Sequence, residues 1–378
     1  MRGTIQIGRV LGIPIGVHFS WFLLLSAVMG VLAIGIYPEA LPEESAWVYW
    51  LLAAISGLLL FACIVLHELG HSVVARYFGI PVRSITLFVL GGVAQITRDA
   101  KRPLPELLMA LAGPAVSILL GGVFMVLWWF TGQGTNAAST MWGWLWISNI
   151  GLGIFNLVPA FPMDGGRVLR ASIWGVTRNF SRATRIAVWI ARLFAWTLMG
   201  VGVLAALESR FLPEEISPIT GVQLLLIGFF LLQYAGTSLR QTLMLDELAR
   251  HPVRDVMVQG IPAVYLQTTA REMLDGPLAG YGPGRDWAFV SGGDRFAGIV
   301  PRVAAERVPE DLQGTCVAAD LMIPVAALQP IDPADTLADA LQHFQEHEVH
   351  LLPVVDDGQV IGLIHDGHIA RALRSKAA

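Results

Sequence analysis

The feature that most constrains the fold of this chain is a series of long apolar stretches. A helix that crosses the roughly 30 Å of hydrocarbon in a bilayer needs about 20 predominantly apolar residues. Six stretches of this kind lie near residues 18–36, 47–70, 106–130, 141–162, 186–207 and 216–236. They predict a polytopic α-helical membrane domain with six transmembrane helices.

The overall composition agrees with a membrane protein. Apolar residues make up 54% of the 378 residues and charged residues only 14%, whereas a soluble protein carries roughly 25% charged residues. The net charge of -4 provides no basic surface, so we expect no nucleic-acid partner. The only two cysteines, Cys63 and Cys316, cannot form a disulfide framework and do not resemble a redox site.

The basic residues predict an orientation, because lysine and arginine accumulate in cytoplasmic loops. With the amino terminus placed inside, the inner loops contain many arginines, among them Arg76, Arg170 and Arg182, whereas the only basic residue of the outer loops is Arg210. We therefore expect a multi-pass protein of the cell membrane with both termini in the cytoplasm.

The chain becomes more polar after Arg240 and contains an internal repeat. The sequence VRDVMV at 253–258 resembles AADLMIPV at 318–325, and AFVSGGDRFAGIV at 288–300 resembles LPVVDDGQVIGLI at 352–364. Each copy predicts a strand, an amphipathic helix and two strands around a tight turn. The predicted organisation is a membrane domain at 1–240, a linker at 241–251, and two cytoplasmic α/β repeats at 252–315 and 316–378.

The second apolar stretch contains the sequence HELGH at 67–71. On a helix, His67 and His71 leave the same face about 5–6 Å apart at Cβ, which lets both imidazoles reach one zinc ion. Glu68 stands beside them as a base for the attacking water. Ionisable residues inside a membrane span are costly and usually serve a function. The alternative is that the two histidines only form hydrogen bonds between helices.

A catalytic zinc site needs three protein ligands and one open position. Asp164 is the best third candidate, because it lies in NLVPAFPMDGGR at 156–167, where Pro159 and Pro162 interrupt the helix. Irregular backbone at membrane depth is tolerated where it is buried in protein or lines a cavity. Without a ligand role, Asp164 would be an ordinary turn residue before two glycines. His18 and Cys63 are weaker candidates for the third ligand.

Taken together, HELGH and NLVPAFPMDGG resemble the site-2 protease family of intramembrane zinc metalloproteases. The resemblance implies zinc as cofactor, His67, His71 and Asp164 as its ligands, and Glu68 as the catalytic base. It also implies that Asn156 contacts the substrate backbone or the developing oxyanion, although an asparagine here could equally form a hydrogen bond between helices. Ser117, in GPAVS at 113–117, departs from the family pattern, which often has asparagine there.

The resemblance extends to the segment TLFVLGGVAQITRD at 86–99, which looks like the small membrane-associated β hairpin of the family. Its edge is expected to hold an unwound substrate strand. The implied substrates are single-span membrane proteins, cut in or near their transmembrane helix.

The two carboxyl-terminal repeats resemble paired CBS domains, which commonly bind adenine nucleotides and form homodimers. The two positions that match the ribose-binding aspartate of that family contain Ala304 and His368. This departure argues against a nucleotide ligand and leaves a pairing or gating role as the alternative. His343, His347 and His350 could hold a second metal, or could simply form a solvated helix face.

Two functions remain open at this stage. The first is an intramembrane zinc endopeptidase with a regulatory CBS pair. The second is a non-proteolytic CBS-gated transporter or channel for a metal or another ion. Glu68 favours the protease, because an ion pathway needs ligands but has no need of a base beside them.

Overall fold

A computed structural model of the chain describes residues 4–88, 91–96, 100–207, 218–280, 285–293, 295–347, 349–357 and 359–369. The chain divides into two compact units, Met1–Thr242 and Leu243–Ala378. Arg210 and two parts of the predicted 86–99 hairpin, residues 89–90 and 97–99, lie outside the described residues.

The first unit contains a four-stranded sheet and a set of long helices. The strands are β1 (Thr4–Val10), β2 (Ile13–His18), β3 (Val82–Phe88) and β4 (Gly91–Ile96). Their order is β1-β2-β3-β4, with a parallel β2–β3 pair between two antiparallel pairs. Strands β1 and β4 therefore form the two edges of the sheet. The antiparallel pair of β3 and β4 overlaps the segment 86–99 that was expected to form a hairpin, although β3 begins four residues earlier, at Val82.

The helices of this unit follow the apolar stretches closely. They are α1 (Trp21–Gly30), which continues through a π-helical segment (Val31–Ile36) into α2 (Tyr37–Ala40), then α3 (Ala46–Tyr77), α4 (Pro103–Phe130), α5 (Ala137–Asn156), α6 (Asp164–Thr177), α7 (Phe180–Ala206) and α8 (Pro218–Leu248). Helix α4 packs against α3, α5 and α6.

Within the described ranges, five helices are long and apolar enough to cross a membrane. These are the continuous segment Trp21–Ala40 and helices α3, α4, α7 and α8. Helix α5 has 20 residues, but glycine, tryptophan and polar residues interrupt its apolar run. It also ends at Asn156, six residues before the predicted end of the fourth span, because irregular backbone follows at 157–163 with Pro159 and Pro162 within it.

The second unit contains two sheets built from the two repeats. Its elements are β5 (Ala263–Tyr265), α9 (Ala270–Asp275), β6 (Trp287–Gly292), β7 (Arg295–Pro301), α10 (Arg302–Glu306), α11 (Ala318–Leu321), β8 (Ile323–Pro324), α12 (Leu337–His347), β9 (Leu351–Asp356) and β10 (Gln359–His365). The residues predicted as a linker, 241–251, are helical as far as Leu248.

Each sheet of this unit is completed by backbone from the other repeat. Strand β8, at the start of the second repeat, pairs with β7 of the first. In the same way, Val258 at the start of the first repeat bridges to Leu363 on β10 of the second. A buried cluster that includes Ile299, Leu351 and Leu363 joins the two repeats. The repeats therefore share a hydrophobic core and form one domain, not two independent ones.

Candidate metal centre

The two histidines of the HELGH sequence lie one turn apart on α3, and both are buried. Their Nε2 atoms are 3.2 Å apart. This separation follows from the i, i+4 spacing on a helix, which places both rings on one face. The pair alone offers two ligands, so the site depends on what the neighbouring helices bring to it.

Asp164 reaches this pair from a different helix. It is the first residue of α6, and its Oδ2 lies 3.3 Å from Nε2 of His67 and 3.2 Å from Nε2 of His71. Within the described part of the chain, these three residues are the one group of histidine, cysteine and acidic side chains that could hold a metal ion. His343, His347 and His350 do not converge in this way.

Two glycines allow α6 to begin at this point. A Cβ atom at Gly165 would lie 2.3 Å from the carbonyl oxygens of Leu157 and Val158, and one at Gly166 would lie 2.9 Å from backbone atoms of Ala160. The first turn of α6 therefore packs directly on the backbone of the irregular segment. The DGG sequence places the Asp164 carboxylate because only glycine permits this close approach.

Helix α4 holds both imidazole rings through their second nitrogens. Nδ1 of His71 lies 2.6 Å from the carbonyl oxygen of Met109, and Nδ1 of His67 lies 2.9 Å from Oγ of Ser117. A carbonyl can only accept, so Nδ1 of His71 carries the proton and Nε2 is left with its lone pair. Contacts of this kind orient metal-binding histidines. Ser117, which looks like a departure in the sequence, therefore has a direct structural role.

Gly113 makes room for the ligand atoms on the same helix. A Cβ atom at this position would lie 2.2 Å from Nε2 of His71 and 2.6 Å from Nε2 of His67. The backbone of α4 thus passes directly against the two imidazoles. In the sequence, Gly113 is only the first residue of GPAVS, and nothing local to it reveals which side chains it faces.

The three residues fit a zinc ion in number, chemistry and spacing. Tetrahedral zinc with bonds of about 2.0–2.1 Å requires ligand atoms about 3.3–3.4 Å apart, and the three separations here are 3.2–3.3 Å. Two imidazole nitrogens and one carboxylate oxygen are a typical catalytic donor set, which leaves a fourth position for water or substrate.

Glu68 lies against the edge strand of the sheet. Its Oε2 accepts a hydrogen bond of 3.2 Å from the backbone N–H of Ala94 on β4. A Cβ atom at Gly92 would lie 2.7 Å from Cγ of Glu68, so this glycine provides space for the acidic side chain. The candidate base thus touches the strand that the resemblance assigns to substrate binding.

Asn156 is the one candidate site residue whose described hydrogen bond stays within its own helix. It is the last residue of α5, and its Nδ2 donates to the carbonyl oxygen of Leu152 at 3.0 Å. This bond is neither the predicted contact with substrate nor the alternative bond between helices. A role for Asn156 in catalysis therefore remains a prediction.

Proteins with similar sequences identify the family of this chain. The model of peptidase family M50 matches residues 55–137 and 131–200, a region that contains all five candidate residues, and the CBS domain model matches residues 318–375. The chain is 32% identical over 384 residues to sll0528 of Synechocystis sp., a provisionally assigned zinc metalloprotease. The alignment covers all of this chain and 97% of that protein. This chain belongs to peptidase family M50.

Other relatives agree with this assignment. Rip3 of Mycobacterium tuberculosis, also a provisionally assigned zinc metalloprotease, is 30% identical over 99% of this chain and 93% of its own length. The solved site-2 protease of Methanocaldococcus jannaschii is 30% identical, with a TM-score of 0.41, over 62% of this chain and 95% of that protein. The chain is a site-2 type metalloprotease, and its apolar helices and family together indicate a membrane protein. The relatives also imply zinc as the metal.

Proposed function

We propose that this M50 protein is an intramembrane zinc endopeptidase that hydrolyses peptide bonds in or near the transmembrane helix of single-span membrane proteins. The observation that carries the proposal is the triangle formed by His67, His71 and Asp164, with separations of 3.2–3.3 Å, directly beside Glu68 on α3. In this proposal, His67, His71 and Asp164 are the zinc ligands.

The protein residues have separable tasks in the reaction. A zinc ion at this site would supply Lewis acidity that polarises a carbonyl and lowers the pKa of water. Glu68 takes a proton from the attacking water and delivers it to the leaving amide nitrogen as the C–N bond breaks. Ser117 and the Met109 carbonyl keep the two imidazoles turned towards the centre. Asn156 is proposed to contact the substrate backbone or the oxyanion.

The sheet edge offers a place for an unwound substrate. A transmembrane helix uses its carbonyls in internal hydrogen bonds, so it must open locally before attack. Strand β4 is an edge strand, and a substrate segment that added to it would regain backbone hydrogen bonds. The N–H of Ala94 donates to Glu68 and not to β3, so the alternation of N–H groups along a strand puts the N–H of Ile96 on the same side of β4.

Two variants test this function. Glu68→Gln should keep zinc binding but lose cleavage of a helical membrane substrate, because the amide cannot act as a base. Unchanged cleavage would refute the role of Glu68.

Ile96→Pro removes an edge N–H and should abolish cleavage of membrane substrates while zinc binding is kept. Normal cleavage by this variant would refute strand addition on β4.

We also propose that the protein has six spans, in which α5 is the fourth span along the chain and joins the five long apolar helices. Both termini and the CBS unit are proposed to be cytoplasmic. Labelling of single cysteines from each side of the membrane in intact cells would test this orientation. A cysteine near the carboxyl terminus that reacts only with outside reagents would contradict it.

The CBS pair is proposed to regulate the protease, with homodimer formation as a further proposal. The side chain of His368, at the ribose-binding position of the second repeat, accepts from the backbone N–H of His365 at 3.3 Å. This arrangement supports a role without bound nucleotide. Calorimetric titration of the whole protein with ATP and AMP should give no binding heat at millimolar concentration, and sedimentation should detect the dimer. Saturable nucleotide binding would contradict the ligand-free role.

A further inference from the structure

A buried ion pair joins α4 to α6 close to the metal centre. Nε of Arg170 donates to Oε1 of Glu106 at 2.8 Å, and Nη2 of the same guanidinium contacts the same oxygen. Glu106 is 2% exposed and Arg170 is 8% exposed. The sequence suggested only an inner-loop arginine at position 170, so this buried contact was not foreseen.

The guanidinium of Arg170 also connects the elements that surround Asp164. It lies 5.4 Å from the ring centroid of Phe161, which belongs to the irregular segment before α6, and 4.8 Å from that of Phe180, the first residue of α7. One side chain therefore contacts α4, the segment that leads into Asp164, and the helix that follows α6. Such contacts of a cation with an aromatic face are favourable.

Stability alone is a weak reason for this arrangement. Removing two charges from water is costly, and replacing a buried ion pair by well-packed apolar residues is often neutral or stabilising. A buried pair of this kind is better explained when it fixes a geometry that apolar packing would leave less well defined.

The contacts along α4 show which geometry this is. Glu106, Met109, Gly113 and Ser117 are spaced three, four and four residues apart, so they form one stripe along the helix. Met109 holds the ring of His71, Ser117 holds that of His67, and Gly113 gives both rings room. Glu106 is the member of this stripe that reaches α6.

We propose that Glu106 and Arg170 are positioning residues for the third metal ligand. Arg170 follows Asp164 by six residues, about 9 Å along the axis of α6. The ion pair fixes α6 at this point, and the glycine contacts fix its first turn, so the carboxylate of Asp164 is held at its distance from the imidazoles. Helix α4 thus sets all three ligands from a single face. This inference rests on the proposed zinc site.

The test measures zinc affinity of the purified full-length protein by competition with a chromophoric chelator, and the absorption spectrum of the cobalt-substituted form. Glu106→Ala should weaken zinc binding by about 10-fold, the lower end of the effect of losing a group that hydrogen-bonds to a metal ligand, because Glu106 acts on Asp164 only through α6. The cobalt spectrum should change, because the carboxylate ligand is displaced. Glu106→Gln keeps Oε1 as an acceptor for Arg170 but removes the counter-charge, so folded Glu106→Gln should lose less zinc affinity than folded Glu106→Ala.

Additional variants separate positioning from folding. Because a lone buried charge can unfold the protein, the double variant Glu106→Met with Arg170→Met removes both charges and should fold, yet it should bind zinc as weakly as Glu106→Ala. Ser56→Ala is the matched control, because it breaks the buried Tyr37–Ser56 hydrogen bond in the same unit, and it should leave zinc affinity unchanged.

The outcomes are distinct. If the folded double variant binds zinc with full affinity and gives an unchanged cobalt spectrum, the positioning role is refuted. If the unmodified protein itself binds no zinc, the proposed function is refuted instead. An equal loss of affinity in Ser56→Ala would assign the effect to general destabilisation and would also refute the positioning role.

Discussion

Gly113→Ala provides a sharp test of the metal centre, because one added methyl group has a calculable effect. The new carbon would lie 2.2 Å from Nε2 of His71, whereas ordinary contacts of a Cβ atom lie at 3.4–4 Å. The ring must therefore move by more than about 1 Å, while metal sites hold ligand distances within about 0.2 Å. A shift of α4 does not relieve the clash, because Met109 and Ser117 on that helix hold the two rings.

We expect Gly113→Ala to weaken zinc binding by at least about 100-fold, or about 2.8 kcal/mol at 1.4 kcal/mol per factor of ten. Chelator competition on the purified protein measures this loss directly, and proteolysis should fall with it. The helix itself should not suffer, because alanine is favoured over glycine in a helix interior by about 0.8–1.0 kcal/mol.

Gly122→Ala is the control on the same helix. No atom lies within 4 Å of a Cβ atom placed at Gly122, so this variant gains helix propensity without a clash. It should bind zinc like the unmodified protein. Equal zinc affinity in the two variants would show that the packing of α4 against the imidazoles is not as described.

Other perturbations separate the parts of the molecule. Gly92→Ala places a methyl carbon 2.7 Å from Cγ of Glu68, so kcat for proteolysis should fall while the zinc affinity is kept. A parallel loss of zinc affinity would show that Gly92 affects more than the Glu68 side chain. In Gly165→Ala the new Cβ atom would lie 2.3 Å from two carbonyl oxygens, so this variant should weaken zinc binding. Gly175→Ala is the control on α6, because its Cβ atom has only an ordinary contact at 3.9 Å, and it should leave zinc binding unchanged. Similar zinc affinities in the two variants would argue against the described packing of the first turn of α6. In the CBS unit, desolvation opposes but does not outweigh hydrogen bonding and charge from two histidines, so the pKa of Asp366 lies below its ordinary value. Because the ionised carboxylate is favoured in the folded state, it stabilises the fold at pH values above its pKa in the unfolded chain, about 3.9. The difference in thermal unfolding temperature between the unmodified protein and Asp366→Asn should therefore be present at pH 5 and shrink below about pH 4. A difference that stays constant with pH would exclude this carboxyl as the cause.

Local patterns accounted for most of the long helices and for the pair of histidines on α3. The apolar stretches predicted helices α3, α4 and α7 because chain length and hydropathy directly limit what can cross a bilayer. The HELGH sequence predicted a pair of imidazoles because the i, i+4 spacing alone fixes their common face. The repeat in the carboxyl-terminal half likewise predicted α12, β9 and β10 from periodicity.

Residues whose roles depend on a distant partner were not recognised in this way. Ser117 differs from the residue that the resemblance led us to expect, yet its hydroxyl lies 2.9 Å from the ring of His67. Arg170 was counted among basic loop residues, yet it is buried against Glu106, 64 positions earlier in the chain. A sequence pattern cannot show such pairs, since nothing within a few residues of either partner depends on the other.

The sequence by itself determined which segments are helices in an apolar environment, and that two histidines and a glutamate share one of them. Only the tertiary structure decided that the carboxylate of Asp164 reaches Nε2 of both histidines, and that α4 both contacts the imidazole rings and leaves space for them. The physical reason is the sequence separation of the residues that interact. Helix formation and side-chain periodicity are set by neighbours within about four residues, whereas a three-ligand centre forms only when separate helices pack at one distance, and close contacts at Gly113 and Gly165 set that distance here.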